Sequence, residues 1–231
     1  MRCSVITGAS SGIGYAAAQS FSEADHLVIN LSRRACDIEG VVNLVCDLAN
    51  PGFLEAIGSE LNAAVADAET VCLIHNAARL AHDTTADADA EDLRNIYELN
   101  LIAPTVLNRA LLPFMAAGSS ILYVGSTLGE KAVPGSFSYV TSKHASIGMM
   151  RATCQDLVGR GVHTACINPG FTDTEMLRDH IPADVMPEIA QMSAYGRLIH
   201  PEEIARSLLF AAQNPVINGS ILNANLGQIE R

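Results

Sequence analysis

Seven short apolar runs recur along the chain, and stretches with helical character lie between them. The runs read as strands at Arg2–Thr7, His26–Leu31, Val41–Cys46, Thr70–His75, Ser119–Val124, Val162–Ile167 and Ser220–Ala224. Several are apolar at consecutive positions and rich in Val, Ile and Leu, which suits strands covered on both faces. Helices are expected at Gly12–Ala24, from an Asn50 cap with Pro51 in the first turn, at Ala90–Ala117 with a break at Pro104, at Ser138–Gly159 and at Pro201–Asn214. The last has His200 ahead of it and Glu202 and Glu203 in its first turn, where the helix dipole favours acids. This alternation predicts an α/β fold: one doubly wound, Rossmann-like parallel sheet of about seven strands with helices on both faces. It also predicts a single domain over 1–231, with ligands at the carboxyl ends of the strands.

Bulk properties narrow the function classes. With 231 residues, 49% of them hydrophobic, and a mean hydropathy of +0.23, the chain can bury a large core. A formal net charge of −11 argues against nucleic acid or an anionic membrane as partner, because both attract basic surfaces. No run of eighteen apolar residues exists, so no membrane-spanning helix is expected. The first strand-like run begins at Arg2 and leaves no room for a signal peptide. The six cysteines show neither a CxxC pair nor metal-ligand spacing, which fits buried thiols, no metal site and a reducing cytoplasm.

The first strand ends in Thr7-Gly8-Ala9-Ser10-Ser11-Gly12-Ile13-Gly14, and a helix of small residues follows at once. Glycines let the backbone turn tightly against a diphosphate, and the helix N-terminus offers free N–H groups to it. Gly8, Ser10, Ser11, Gly12, Ile13 and Gly14 are therefore candidate dinucleotide-binding residues. The second strand ends in Ser32-Arg33-Arg34, where an NAD(H) site usually has an Asp or Glu for the ribose hydroxyls. Two guanidinium groups suit a 2′-phosphate instead, which favours NADP(H) over NAD(H). Against this, Asp37 and Glu39 follow closely enough to fold back onto the ribose. Asp47, before Leu48, reads equally as an acceptor for an adenine amino group or as the cap of the next helix. Asn76, Ala77 and Ala78 are small enough for a ribose to lie against the sheet, and His75 reads as a packed imidazole.

Chemistry concentrates between Ser126 and Lys143. Ser126 follows a strand, and Tyr139 and Lys143 are four apart, so on a helix they share a face. A hydroxyl, a phenol and an ammonium brought together suit proton transfer at a carbonyl or alcohol oxygen. A free phenol titrates near ~10, and a neighbouring ammonium favours the phenolate. Asn100 sits within a helical stretch at a modest propensity cost, which hints at a polar task. Beyond Pro169-Gly170 the chain runs through a long segment, about 171–197, that is a candidate substrate lid. Its Met176, Ile181, Val185, Met186, Ile189 and Met192 either line an apolar pocket or form the inner face of short helices.

These motifs together resemble the short-chain dehydrogenase/reductase family, in its short, non-extended branch, over essentially the whole chain. Thr7, Gly8, Gly12 and Gly14 resemble the family's TGxxxGxG motif, and Asp47 its adenine-contacting acid. Asn100, Ser126, Tyr139 and Lys143 match its catalytic tetrad, and Pro169, Gly170 and Thr172 its nicotinamide-contacting segment. His75 and Ala78 depart from the usual Asn-Asn-Ala-Gly. The resemblance implies hydride transfer between NADP(H) and a small carbonyl or alcohol substrate. Tyr139 would be the general acid or base and Ser126 would bond the substrate oxygen. Lys143 would hold the ribose and tune the phenol, and Asn100 would hold a water of a proton relay. It also implies homodimers or homotetramers built on the helices containing Asn100 and Tyr139. A non-catalytic NADP(H)-sensing module is the alternative from another class; the intact Ser126, Tyr139 and Lys143 speak against it.

Overall fold

The computed structural model describes residues 1–228. Seven parallel strands form one sheet: β1 (Arg2–Thr7), β2 (His26–Ser32), β3 (Val42–Val45), β4 (Thr70–His75), β5 (Ser120–Val124), β6 (His163–Pro169) and β7 (Ser220–Ala224). Their order is β3-β2-β1-β4-β5-β6-β7. The chain thus starts in the middle, steps outward to β3, then crosses back to lay β4 beside β1 and continues to the far edge. Neighbouring connections leave in opposite directions at β1 and β4, and a crevice opens there at the carboxyl ends. The register sets Thr7 beside Leu31, His75 beside Tyr123 and Val124 beside Ile167. The residues that follow each strand therefore emerge along one edge.

Helices α1 (Gly12–Glu23) and α8 (Pro201–Gln213) cover one face, where Phe21 and Leu208 are fully buried with Ile6 and Ile74. Helices α2 (Phe53–Val65), α4 (Ala103–Leu111) and α5 (Phe137–Asp156) supply Leu61, Leu107 and Met150 to the core on the other face. Each such side chain contributes about 1.5–3 kcal/mol on burial. Side chains along the strands alternate between these two cores. Two short helices, α6 (Glu175–His180) and α7 (Met186–Ala190), lie within 171–197. Among the described residues, no helix is long and apolar enough to cross a membrane.

Two helix expectations need correction. Helix α2 begins at Phe53, with Gly52 at the cap position, because Asn50 Oδ1 accepts from Gly52 N (2.9 Å) in a turn ahead of the helix. The stretch read as a helix over 90–117 with a break at Pro104 is α3 (Ala90–Tyr97), a π turn (Glu98–Ile102), α4 and a final 3-10 turn, so the break precedes Pro104. Pro104 has no N–H for the carbonyl of Asn100 four residues back, and the backbone widens there instead of kinking at the proline.

Candidate active site

Thr7 ties the two strands at the crevice. Its hydroxyl accepts from the amides of Asn76 (2.9 Å) and Ala77 (3.0 Å) and lies 3.3 Å from the Ile74 carbonyl. Gly8 (φ +74°) and Gly12 (φ +57°) take the left-handed conformation that the turn demands. Gly14 serves packing: a Cβ there would lie 2.1 Å from the Gly8 carbonyl oxygen. The turn is braced by Asn30, whose Oδ1 accepts from Ala9 N (3.0 Å).

A cleft of about 1300 Å³ runs from this turn across the sheet edge. All the sequence-predicted cofactor residues line it except Gly14: Gly8, Ser10, Ser11, Gly12, Ile13, Ser32, Arg33, Arg34, Asp47, Leu48, Asn76, Ala77, Ala78, Tyr139, Lys143, Pro169, Gly170 and Thr172. Ser126 lines it too, whereas Asn100 does not. The donor set fits a dinucleotide, with a glycine turn at a helix start for the diphosphate and guanidinium groups at the end of β2. Asp37 does not fold back. Its carboxylate lies beside Tyr15 and pushes the Tyr15 phenol up, and neither Asp37 nor Glu39 lines the cleft. Asp47 Oδ1 accepts from Ala49 N (3.0 Å) in a local turn, and α2 starts six residues on, so the capping reading of Asp47 is excluded.

Arg33 and Arg34 differ. Arg34 donates to Ser11 Oγ (3.2 Å) and pairs with Glu175 (3.0 Å). Arg33 is exposed on the cleft wall and has no hydrogen bond or ion pair with any described residue.

The catalytic candidates converge at the other end. Ser126 sits just beyond β5; its N–H donates to Asn168 Oδ1 (3.1 Å) and its Oγ accepts from Leu128 N (3.1 Å). Asn168, fully buried on β6, leaves no space for a Cβ at Gly125, which would lie 2.0 Å from its Oδ1. Sequence reasoning missed Asn168. An Asn that directly follows the apolar run Ala165-Cys166-Ile167 near the carboxyl end of a strand is the signal that would have found it, because a buried amide needs partners.

Tyr139 lies in the first turn of α5 and Lys143 one turn later; they are 7% and 5% exposed. The Lys143 ammonium donates to the Val124 carbonyl (2.8 Å) and stands 5.5 Å from the centre of the Tyr139 ring. Asn100, in the π turn, bonds both backbone groups of Arg79 (2.9 and 3.1 Å) and Ser142 Oγ (3.0 Å). Asp83, also missed, grips the start of α5. It accepts from Ser138 N (2.9 Å) and from the Ser138 hydroxyl, and its carbonyl accepts from Phe137 N (3.1 Å).

Of the apolar residues read in 171–197, Met176, Ile181, Ile189 and Met192 line the cleft; Val185 and Met186 do not. Burial pushes the thiols of Cys3 and Cys72 up to about 12 and those of Cys46 and Cys166 up to about 11, so none of these four is a nucleophile at neutral pH. Among the described residues, no group of three His, Cys, Asp or Glu side chains could hold a metal ion.

Residues 8–228 match the family model described as enoyl-(acyl carrier protein) reductase. The chain belongs to the short-chain dehydrogenase/reductase family. It is an oxidoreductase of that family. Carbonyl reductase family member 4 of Xenopus laevis is 27% identical over 230 residues, which cover 95% of this chain and 94% of the relative. Among solved structures, the angucycline C-6 ketoreductase LanV with bound NADP superposes with a TM-score of 0.85 at 25% identity, over 98% of this chain and 95% of that one. A 4-hydroxyisoleucine dehydrogenase complexed with NADH superposes with a TM-score of 0.88 at 21% identity, over 98% of each chain. Within this short-chain dehydrogenase/reductase, the departure at position 75 lies beneath the cleft wall. His75 Nε2 meets Asn108 Oδ1 at 2.8 Å and its ring lies 4.9 Å from that of Tyr123.

Proposed function

We propose that this chain transfers a hydride between NADP(H) and a carbonyl or alcohol substrate, with Tyr139 as the general acid or base. The observation that carries this reading is the meeting of Ser126, Tyr139 and Lys143 on the wall of the cleft that also contains the glycine turn. Nothing else in a phosphate-binding fold calls for a buried phenol beside a buried ammonium there.

A bound nicotinamide supplies the hydride or takes it up. The glycine turn would hold the diphosphate, Arg33 and Arg34 the 2′-phosphate, Asp47 and Leu48 the adenine, and Asn76, Ala77 and Ala78 a ribose. Pro169, Gly170 and Thr172 hold the nicotinamide end. Ser126 Oγ accepts from Leu128 N, so its own hydrogen is free to donate to the substrate oxygen, where charge develops. Tyr139 gives that oxygen its proton in reduction and takes it in oxidation. Lys143 spends one N–H on Val124 and keeps two, which serve the ribose and stabilise the phenol oxygen as the proton leaves. The Asn100 side chain is engaged with Arg79 and Ser142. Its carbonyl, which Pro104 cannot bond, is the group that would hold the relay water.

The NADP(H) preference is supported by Arg33, which pairs with none of the described residues, by the lack of a carboxylate at the end of β2 and by the absence of Asp37 and Glu39 from the cleft lining. LanV binds NADP, whereas 4-hydroxyisoleucine dehydrogenase binds NADH on the same fold. The segment 171–197 is the substrate lid, and its side chains in the cleft suit a largely apolar ketone or alcohol. Free cysteines suit a reducing cytoplasm. A homodimer or homotetramer built on the helical stretch containing Asn100 and on α5, which contains Tyr139, is testable by light scattering.

Tyr139→Phe is expected to cut turnover by roughly 10²–10⁴-fold while NADPH binding stays within about twofold. Wild-type turnover in that variant would refute the assignment. Replacing Arg33 and Arg34 together by Ala should raise KM for NADPH far more than for NADH; equal effects on both would refute the cofactor preference.

A further inference from the structure

One charged contact crosses the cleft away from the catalytic trio. Arg34 stands just beyond β2, and Glu175 opens α6 from the opposite wall. They meet at 3.0 Å, and the same guanidinium donates to Ser11 Oγ in the glycine turn at 3.2 Å. All three line the cleft. The start of α6 is held close over the turn, because the Thr174 methyl lies 3.2 Å from where a Gly12 Cβ would be. Both partners are well exposed, at 64% for Arg34 and 60% for Glu175. The nearest other cation on that helix, Arg178, is engaged by Asp173 at 2.7 Å.

We propose that Glu175 is a specificity-determining residue: it competes with the 2′-phosphate of NADP(H) for the Arg34 guanidinium and narrows the preference for NADP(H) over NAD(H). The proposal rests on reading the cleft as a nicotinamide-dinucleotide site. An exposed ion pair is weak, so the carboxylate is displaceable. A phosphate offers a guanidinium a bidentate, more highly charged partner. A cofactor with a plain 2′-hydroxyl makes no claim on Arg34 and leaves the bridge closed. NADP(H) must therefore unlatch α6 from the glycine turn, whereas NAD(H) need not.

The test is equilibrium binding without turnover. NADPH, NADH and 2′-AMP are titrated by calorimetry against wild type, Glu175→Gln, Arg34→Ala and the double variant. Glu175→Gln is expected to tighten NADPH and 2′-AMP roughly three- to fivefold, the scale of an exposed ion pair, and NADH less than twofold. With Arg34→Ala in place, Glu175→Gln should bring no such gain. An unmoved NADPH-to-NADH ratio in Glu175→Gln, or the same gain without Arg34, overturns the proposal alone. Wild-type protein that binds neither dinucleotide overturns the cofactor assignment and the proposal with it.

Discussion

The His75 imidazole is buried, engages Asn108 through Nε2 and leaves Nδ1 without a partner among the described residues. A charged ring would bring a second N–H to Nδ1 with no acceptor for it, and burial accordingly pushes the group down to about 4. In the unfolded chain an imidazole titrates near ~6.5. The folded value is the lower one, so the stability this side chain contributes is complete above about pH 6.5 and is lost as pH falls towards 4. Between pH 7 and pH 5 the loss comes to about 2 kcal/mol. Urea unfolding at the two pH values should show it, and His75→Asn should be flatter by about that amount. Parallel curves for wild type and variant would place the acid sensitivity elsewhere. The ring also begins a polar chain that continues from Asn108 to the Tyr123 hydroxyl (2.8 Å) and on to Thr153 (3.3 Å). A polar network of this kind beneath an apolar sheet tolerates a smaller amide more readily than a hydrocarbon.

Helix α5 carries Tyr139 and Lys143, yet its cap residue, Ser136, makes no side-chain capping bond. Asp83, 55 residues before Ser138, supplies the missing acceptor. Removing a cap costs about 0.5–2 kcal/mol, and here the loosened turn is the one that aims the phenol. Asp83→Ala is therefore expected to lower kcat about tenfold with KM for NADPH little changed, and Asp83→Asn, which keeps an acceptor, should recover most of it. A kcat unmoved by Asp83→Ala would make the contact merely structural. The sequence could not disclose this contact, since nothing local marks Asp83 out from Asp87 or Asp89. The same holds for Arg34 with Glu175, 141 residues apart. What could be read was local. Consecutive apolar residues marked all seven strands, the Gly8–Gly12–Gly14 spacing marked the turn, and the four-residue step from Tyr139 to Lys143 placed both on one helical face. The break was expected at Pro104 itself, whereas the structure places a π turn at Glu98–Ile102 just ahead of it, where the Asn100 side chain bonds Arg79 and Ser142 across the fold, contacts that sequence cannot show.

At the scale of the molecule, the excursion that carries α6 and α7 leaves and rejoins the sheet through a narrow neck. Ile199 N donates to the Phe171 carbonyl (2.9 Å) and Asp173 N to the Ile199 carbonyl (2.9 Å), so the two ends run side by side. Past that zipper, Arg197 makes a two-pronged bond to Glu203 in the first turn of α8 (2.7 and 2.8 Å), and Glu203 also accepts from His200 N (2.9 Å). Arg197 holds the Glu203 carboxyl down to about 2. An unfolded Glu titrates near ~4.3, so this clamp contributes fully above that pH and weakens only as pH falls towards 2. At neutral pH it is whole, and loosening it then requires a substitution. Arg197→Ala should leave the sheet and the glycine turn intact, because the residues it frees lie outside both cores. It should raise the population in which the segment opens, since opening is then opposed by the two backbone bonds of the neck, the bonds of Ala194 N to the Leu226 and Gly227 carbonyls (3.0 and 3.2 Å) and the exposed Arg34–Glu175 bridge, without the Arg197 clamp. Trypsin reads this directly at Arg178, which is exposed on α6. Cleavage there should quicken by roughly fivefold in Arg197→Ala, the scale of about 1 kcal/mol for a partly exposed pair, and KM for the carbonyl substrate should rise with it. Unchanged cleavage would mean that the zipper at Ile199 suffices to hold the segment closed over the cleft.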